Sequence, residues 1–385
     1  MALHMTNVIV EKEVRKYLRI KYHMMKGALK LGSVSGIKIE VHWTFTLLLI
    51  WVAFLEIQEG ADLDRILLNE ALILVLFVCV VLHELGHALT AKRFNIGTRK
   101  IMLLPIGGVA TLEKMPEKPG QELLVAIAGP AVNVVIAILL VLVVPVKSYF
   151  SFDAVVLEEV LYKPTFQNFL FYLLIANVML VIFNLIPAFP MDGGRVLRAL
   201  LSFKLGRVEA TKIASGIGQA LAFIFLVLGL FFNPFLILIA LFIFFGAYGE
   251  NQMVQRNALL KGHLVREATL THITQLSPVH SVQEVIDILL AGTEKDFLVV
   301  ENATVVGIVT QKALIKHAKT PSLLVRDIMD TSFTMVDATA EITRVLELMG
   351  SKKKSFFPVT EGGKLIGAID SVNISEFILL QTSKM

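Results

Sequence analysis

Residues 68–89 read LNEALILVLFVCVVLHELGHAL, an apolar run closed by His83-Glu84-Leu85-Gly86-His87. About 20 such residues, wound as a helix, cross the ~30 Å hydrocarbon core of a bilayer. On a helix, positions i and i+4 share a face, so the imidazoles of His83 and His87 can converge on one cation while Glu84 reaches a water on it. Zinc suits this set. Two His and one carboxylate leave a fourth position for water, whose pKa falls to about 7, with Glu84 as the proton acceptor. In a soluble helix the five residues could match by chance. At lipid depth two His and a Glu within one turn are costly unless they face a polar cavity or a partner, and ionisable groups there mark function.

Working outward, the whole chain of 385 residues is 55% hydrophobic and only 18% charged, with a mean hydropathy of +0.72. That average excludes an ordinary cytosolic enzyme. Apolar runs fall at 40–58, 68–89, 123–146, 168–189, 213–231 and 235–249, the last two broken at Asn233-Pro234, and predict six membrane-spanning helices. The formal charge of +4 is too small at this length for a nucleic-acid partner, and the basic residues sit beside the apolar runs. Residues 1–38 form a basic segment without the apolar core and cleavage site of a signal peptide. The loop around Glu56, Glu59 and Asp62 is acidic, whereas Lys92, Arg93, Arg99 and Lys100, and later Arg195, Arg198, Lys204 and Arg207, are basic. The positive-inside rule then gives an integral membrane protein with cytoplasmic N- and C-termini. A single cysteine, Cys79, excludes a disulfide framework and a Cys-cluster zinc site. Any metal must use His and carboxylate ligands.

A third ligand must come from another helix at similar depth. Asp192 fits, in Asn184-Leu-Ile-Pro187-Ala-Phe-Pro190-Met-Asp192-Gly193-Gly194-Arg195, which closes the fourth run on the side where His83 and His87 lie. The other reading of Asp192 is a loop residue before Gly-Gly.

Together the HELGH at 83–87, Pro105-Ile-Gly107-Gly108, Ala128-Gly129-Pro130-Ala-Val-Asn133 and Pro190-Met-Asp192-Gly-Gly resemble the site-2 protease family of intramembrane zinc metalloproteases, in the branch with a C-terminal pair of CBS domains. The resemblance covers nearly the whole chain from about Met25. It implies an α-helical polytopic domain over residues 39–250, one Zn2+ per chain held by His83, His87 and Asp192, and hydrolysis of a peptide bond inside a transmembrane segment of a membrane-anchored protein in a prokaryotic cell membrane. Gly107, Gly108 and Val109 could open a re-entrant β-hairpin whose edge holds the substrate extended beside the zinc, or form a plain interfacial loop. Asn133 could hydrogen-bond the scissile carbonyl or its oxyanion, or serve as packing glue beside Gly129 and Ala131. Asn177 and Asn184 raise the same question. His42 beside Trp43 could line the site or belong to an aromatic belt, Cys79 reads as packing, and Arg195 and Arg198 read as interfacial anchors.

After a linker at 251–264 the composition becomes that of a soluble α/β domain, and it repeats at an offset of 60. Val265-Arg-Glu matches Val325-Arg-Asp, Phe297-Leu-Val-Val matches Phe357-Pro-Val-Thr, and Gly307-Ile-Val-Thr310 matches Gly367-Ala-Ile-Asp370. The repeats, 265–320 and 321–385, resemble a CBS pair, a resemblance that implies adenine-nucleotide binding and association as a homodimer. The family's Gly-x-x-Ser/Thr-x-x-Asp corner departs here: Ala313 replaces the Asp in the first copy, and Asp370 replaces the hydroxyl in the second. Thr310 and Asn373 remain as half-sites, while Asp370 would repel a phosphate. The Lys352–Lys354 run reads as a solvated or lipid-facing surface. Two other functions stay open from sequence: a CBS-regulated ion transporter, against which the ionisable groups cluster toward one face rather than the midplane, and an inactive zinc scaffold, against which Glu84 is present.

Overall fold

The computed structural model describes residues 27–105, 107–112, 116–150, 163–352 and 354–383. The basic leader up to residue 26 and most of the 147–163 loop lie outside the described residues. The chain divides into two compact units, Met1–Asn251 and Gln252–Met385.

The first unit contains a four-stranded sheet, of which the sequence predicts only a hairpin around Gly107–Leu112. Strands β1 (Ala28–Val34) and β2 (Ile37–His42) form an antiparallel hairpin, β2 pairs in parallel with β3 (Thr98–Leu104), and β3 turns back into β4 (Gly107–Leu112). Ser35 and Gly36 make the first turn at φ 52 and 85, where glycine is at ease. Residues 28–38, expected as part of a basic segment, therefore hold one strand and begin the next. Lys100 is neutralised across the sheet by Glu40 at 2.7 Å. Ile37 and Ile101 turn inward and pack with Leu85 and Ala88, so the sheet lies directly on the HELGH turn.

Among the described residues six long helices accompany it: α1 (Thr44–Gln58), α2 (Leu63–Arg93), α3 (Pro119–Val143), α4 (Phe166–Leu185), α5 (Asp192–Phe231) and α6 (Phe235–Leu260), besides the five-residue turn of helix Val146–Phe150. Five are long and apolar enough to cross a membrane. The expected first span is the exception. Its leading residues belong to β2, and the remaining 15 rise about 22 Å. Pro187 and Pro190 end the fourth run three residues after Asn184, so Asp192 opens a new helix instead of sitting in a loop. Helix α5 breaks at Gly206, φ 75, a backbone state that favours glycine. The expected linker at 251–264 is helical as far as Leu260.

Helix α3 packs against α2, α4 and α5. Its contact with α2 is backbone-close, because a Cβ on Gly86 would stand 2.6 Å from the Ala128 carbonyl oxygen. At one end Arg198 of α5 is fully buried between Glu122 of α3 and Glu250 of α6, both at 2.5 Å, and Arg207 adds a contact to Glu122 at 3.3 Å. Arg198 is thus no interfacial anchor: two carboxylates distant in sequence compensate a guanidinium that lies across the face of Phe189.

The second unit repeats one plan. In the first copy β5 (Gln275–Leu276), α7 (Val282–Ala291), β6 (Asp296–Glu301), β7 (Thr304–Thr310) and α8 (Gln311–His317) follow in order. In the second, α9 (Val325–Ile328) leads to β8 (Val336–Asp337), α10 (Ile342–Lys352), β9 (Phe356–Glu361), β10 (Lys364–Asp370) and α11 (Ser371–Thr382). Each copy makes a three-stranded sheet, with strand orders β5-β6-β7 and β10-β9-β8. Leu298 and Ile308 of one copy share a buried cluster with Phe356 and Ala368 of the other. Gly307 and Gly367 permit this approach, since their Cβ atoms would meet Met329 Sδ at 2.7 Å and the Leu270 carbonyl oxygen at 2.0 Å.

Candidate metal centre

Helix α2 carries His83 and His87 one turn apart, and both are 5% exposed. Helix α5 begins at Asp192, where the Pro-rich turn delivers the carboxylate to the same point. His87 Nε2 lies 3.0 Å and His83 Nε2 3.2 Å from Asp192 Oδ2, and the two Nε2 atoms are 3.1 Å apart. These are one donor atom from each of three residues, the group most able to hold a metal ion among the described residues. Around a tetrahedral zinc with bonds of about 2.0–2.1 Å, neighbouring donor atoms stand about 3.3 Å apart. The triangle already has that size.

The proton inventory points the same way. His87 Nδ1 donates to the Val125 carbonyl oxygen at 2.7 Å, since a carbonyl can only accept, and in the neutral ring Nε2 of His87 then presents a lone pair. His83 Nδ1 donates to Asn133 Oδ1 at 2.5 Å and leaves its own Nε2 in the same state. With both imidazoles neutral, two lone pairs and a carboxylate oxygen meet at 3.0–3.2 Å, an arrangement that a bound cation would join.

The floor of this site is Gly129 of α3. A Cβ there would lie 2.1 Å from His87 Nε2 and 2.6 Å from His83 Nε2. The sequence reading took Gly129 for packing and missed the cradle it forms. Val125, Gly129 and Asn133 follow one another at intervals of four along one helix face, a spacing visible in the sequence.

Glu84 points from α2 toward the sheet. Its Oε2 accepts from the backbone N–H of Ala110 at 3.2 Å, and Gly108 makes room, since a Cβ there would lie 2.8 Å from Glu84 Cγ. Gly107, Gly108 and Val109 thus belong to an outer strand of the sheet beside Glu84, with Val109 48% exposed.

Asn133 does not face the converging donor atoms. It is fully buried and lies behind His83, against Nδ1, with its own amide donating to Asn177 Oδ1 at 2.8 Å. The geometry therefore engages both ends of its amide, one with His83 and the other with Asn177. Asn184 donates to the Leu180 carbonyl of its own helix at 2.9 Å. Cys79 is buried and accepts from Asn177 at 3.6 Å. Buried His42 shares a 2.7 Å hydrogen bond with Thr44 through Nδ1, and Arg195 approaches Asp192 Oδ1 at 3.8 Å.

In the second unit Thr310 and Asp370 are helix N-caps. The hydroxyl of Thr310 accepts from Ala313 N–H at 3.3 Å, and Asp370 accepts from Val372 and Asn373 N–H at 2.7 and 2.8 Å. Asn373 Oδ1 accepts in return from Asp370 N–H at 3.3 Å. The Asp at the place of the expected hydroxyl is explained by this local capping.

Comparison with known proteins agrees with the site. The family described as Peptidase family M50 matches residues 71–228, and the CBS domain matches residues 325–380. A zinc metalloprotease of Methanocaldococcus jannaschii is 38% identical over 351 residues, 91% of this chain and 96% of that one. Stage IV sporulation protein FB of Bacillus subtilis is 33% identical over 144 residues, 37% of this chain and 44% of that one. Among solved structures, a site-2 protease from Methanocaldococcus jannaschii is 43% identical and covers 58% of this chain and 95% of its own, with a TM-score of 0.42. With a relative 38% identical along 96% of its length and a buried two-His, one-Asp site on apolar helices, the chain belongs to peptidase family M50, the site-2 protease family of membrane zinc metalloproteases.

Proposed function

We propose that this protein cleaves peptide bonds within transmembrane segments of membrane-anchored proteins, and that its C-terminal CBS unit regulates access. The observation that carries this reading is the convergence of His83, His87 and Asp192 on one point of apolar helices, with Glu84 alongside. These three residues would hold one zinc ion, which supplies a Lewis acid for the scissile carbonyl and lowers the pKa of a water to about 7. Glu84 accepts the proton of the attacking water and passes it to the leaving amine. The Ala110 N–H fixes one of its oxygens and leaves the other for that transfer. Gly107, Gly108 and Val109 pair with the substrate as an added strand, which holds its backbone extended; a helix, with its amides bonded, resists hydrolysis.

The charge pattern supports cytoplasmic termini, with α1 as a short sixth pass. Thr310 and Asn373 are the groups through which an adenine nucleotide would be sensed, and a homodimer would form through the CBS unit. The test is Glu84→Gln in detergent-purified full-length protein offered a transmembrane peptide. Loss of cleavage with one zinc retained supports the reading. Unchanged cleavage refutes the role of Glu84, and a wild type that neither cleaves nor binds zinc revives the transporter reading.

A further inference from the structure

The ring of His83 is gripped on the side away from Asp192 by a chain of two asparagines. It starts at the Leu173 carbonyl in α4, which can only accept. Asn177 Nδ2 donates to it at 2.8 Å, so Asn177 Oδ1 points the other way. That oxygen accepts from Asn133 Nδ2 at 2.8 Å, which turns Asn133 Oδ1 toward His83 Nδ1 at 2.5 Å. Each amide has one donor end and one acceptor end, so an acceptor at the head of the chain sets every link after it. The last link requires a proton on His83 Nδ1, which in the neutral ring leaves the lone pair on Nε2. Asn133 and Asn177 are both 0% exposed, so water does not substitute for either partner.

We infer that Asn177 and Asn133 form a directional relay that fixes the tautomer and ring orientation of His83, and that both are positioning residues for the metal centre. This rests on the reading of His83 as a zinc ligand. The relay matters because the two histidines solve one problem by different means. His87 takes its Nδ1 acceptor directly from the backbone of α3 at Val125. His83 sits one turn away, and side chains from two helices must bring an acceptor to it. Partners of this kind typically contribute 10–100-fold to metal affinity. Reversal of either amide would set two donors or two acceptors face to face.

The test uses detergent-purified full-length protein, with zinc affinity read by chelator competition and ligand geometry read from the visible spectrum of the cobalt(II)-substituted form. Asn133→Leu keeps the approximate volume and removes the amide; it is expected to weaken zinc binding 10–100-fold and to alter the cobalt spectrum. Asn177→Leu is expected to act in the same direction by less. Asn133→Asp retains an acceptor for His83 Nδ1 and is expected to recover affinity close to wild type. The double variant Asn133→Leu/Asn177→Leu should lose no more than Asn133→Leu alone, because Asn177 acts through Asn133. Wild-type affinity and spectrum in Asn133→Leu, or an additive double variant, would overturn the relay. Should Asn133→Leu fail to fold, Asn133→Asp and Asn177→Leu decide it: a loss in Asn133→Asp as deep as that from His83→Ala overturns the proposal. Wild type without zinc would instead overturn the ligand assignment beneath it.

Discussion

Gly129→Ala adds one methyl group against the rings of His83 and His87, and the structure says where it goes. The new carbon would sit 2.1 Å from His87 Nε2, 2.5 Å from His87 Cε1 and 2.6 Å from His83 Nε2, where ordinary contact begins at 3.4 Å. His87 would have to retreat by about 1.3 Å from its present place, several times the ~0.2 Å tolerance of a zinc–ligand bond. It cannot do so and keep the 2.7 Å hydrogen bond to the Val125 carbonyl. Separation of α3 from α2 is no easier, because these helices already touch through Gly86. We expect zinc affinity to fall by at least about a hundredfold, or ~2.7 kcal/mol, with proteolysis lost in parallel. The assay is zinc per chain after dialysis against a weak chelator, alongside a thermal melt of metal-free protein. Helix propensity alone works in the opposite direction, since Ala in place of Gly favours a helix by about 1 kcal/mol. A Gly129→Ala protein with a raised melting temperature and one tightly held zinc would refute the cradle and the ligand assignment with it.

Arg198→Met should destabilise the protein by about 3–5 kcal/mol by leaving Glu122 buried beside a lost partner, read as a lowered melting midpoint; Arg198→Met/Glu122→Leu should recover much of it, and a neutral single variant would show that the triad carries no such weight. Gly367→Ala should destabilise by about 1–3 kcal/mol, because its Cβ would collide with the Leu270 carbonyl. Gly350→Ala, with open space around it, should be neutral or slightly stabilising in the same denaturation assay. Hydrogen bonds from Ser332 and the nearby Lys354 ammonium pull the Asp330 carboxyl down to about 2, below its unfolded value of about 3.9. Its stabilisation is therefore complete above about pH 4 and lost as pH falls through about 2, and partial exposure keeps it below about 1 kcal/mol. The melting-temperature gap between wild type and Asp330→Asn should close over that range, and a gap independent of pH would refute the assignment.

The residues that converge at the centre were legible because their signatures are local. His83, Glu84 and His87 occupy one turn, and Asp192 stands between Pro190 and Gly193 in a segment with its own signature. The 60-residue repeat was legible for the same reason. The sheet was not, since β1 to β3 carry Lys30, Lys38 and Lys100 among their apolar residues and read as charged flanks; only pairing with β4 and packing on Leu85 turn them into a layer. Arg198 looked like an interfacial cation because its partners are 76 and 52 residues away in sequence. Asn133 was singled out correctly as a polar residue on an apolar helix, but the direction in which an amide faces is a tertiary fact. A helix face that carries Val125, Gly129 and Asn133 has one meaning beside His83 and His87 and another beside lipid.

The contact between Glu84 and the Ala110 N–H links the HELGH turn to the edge of the sheet. In an antiparallel pair, alternate N–H groups point away from the partner strand, and the Ala110 N–H, which meets Glu84 outside the β3–β4 ladder, is one of these. A polypeptide laid along that edge needs the same N–H. Under the proposed function, a docking chain would take from Glu84 the amide that holds one of its oxygens, while the other oxygen stays available for proton transfer throughout.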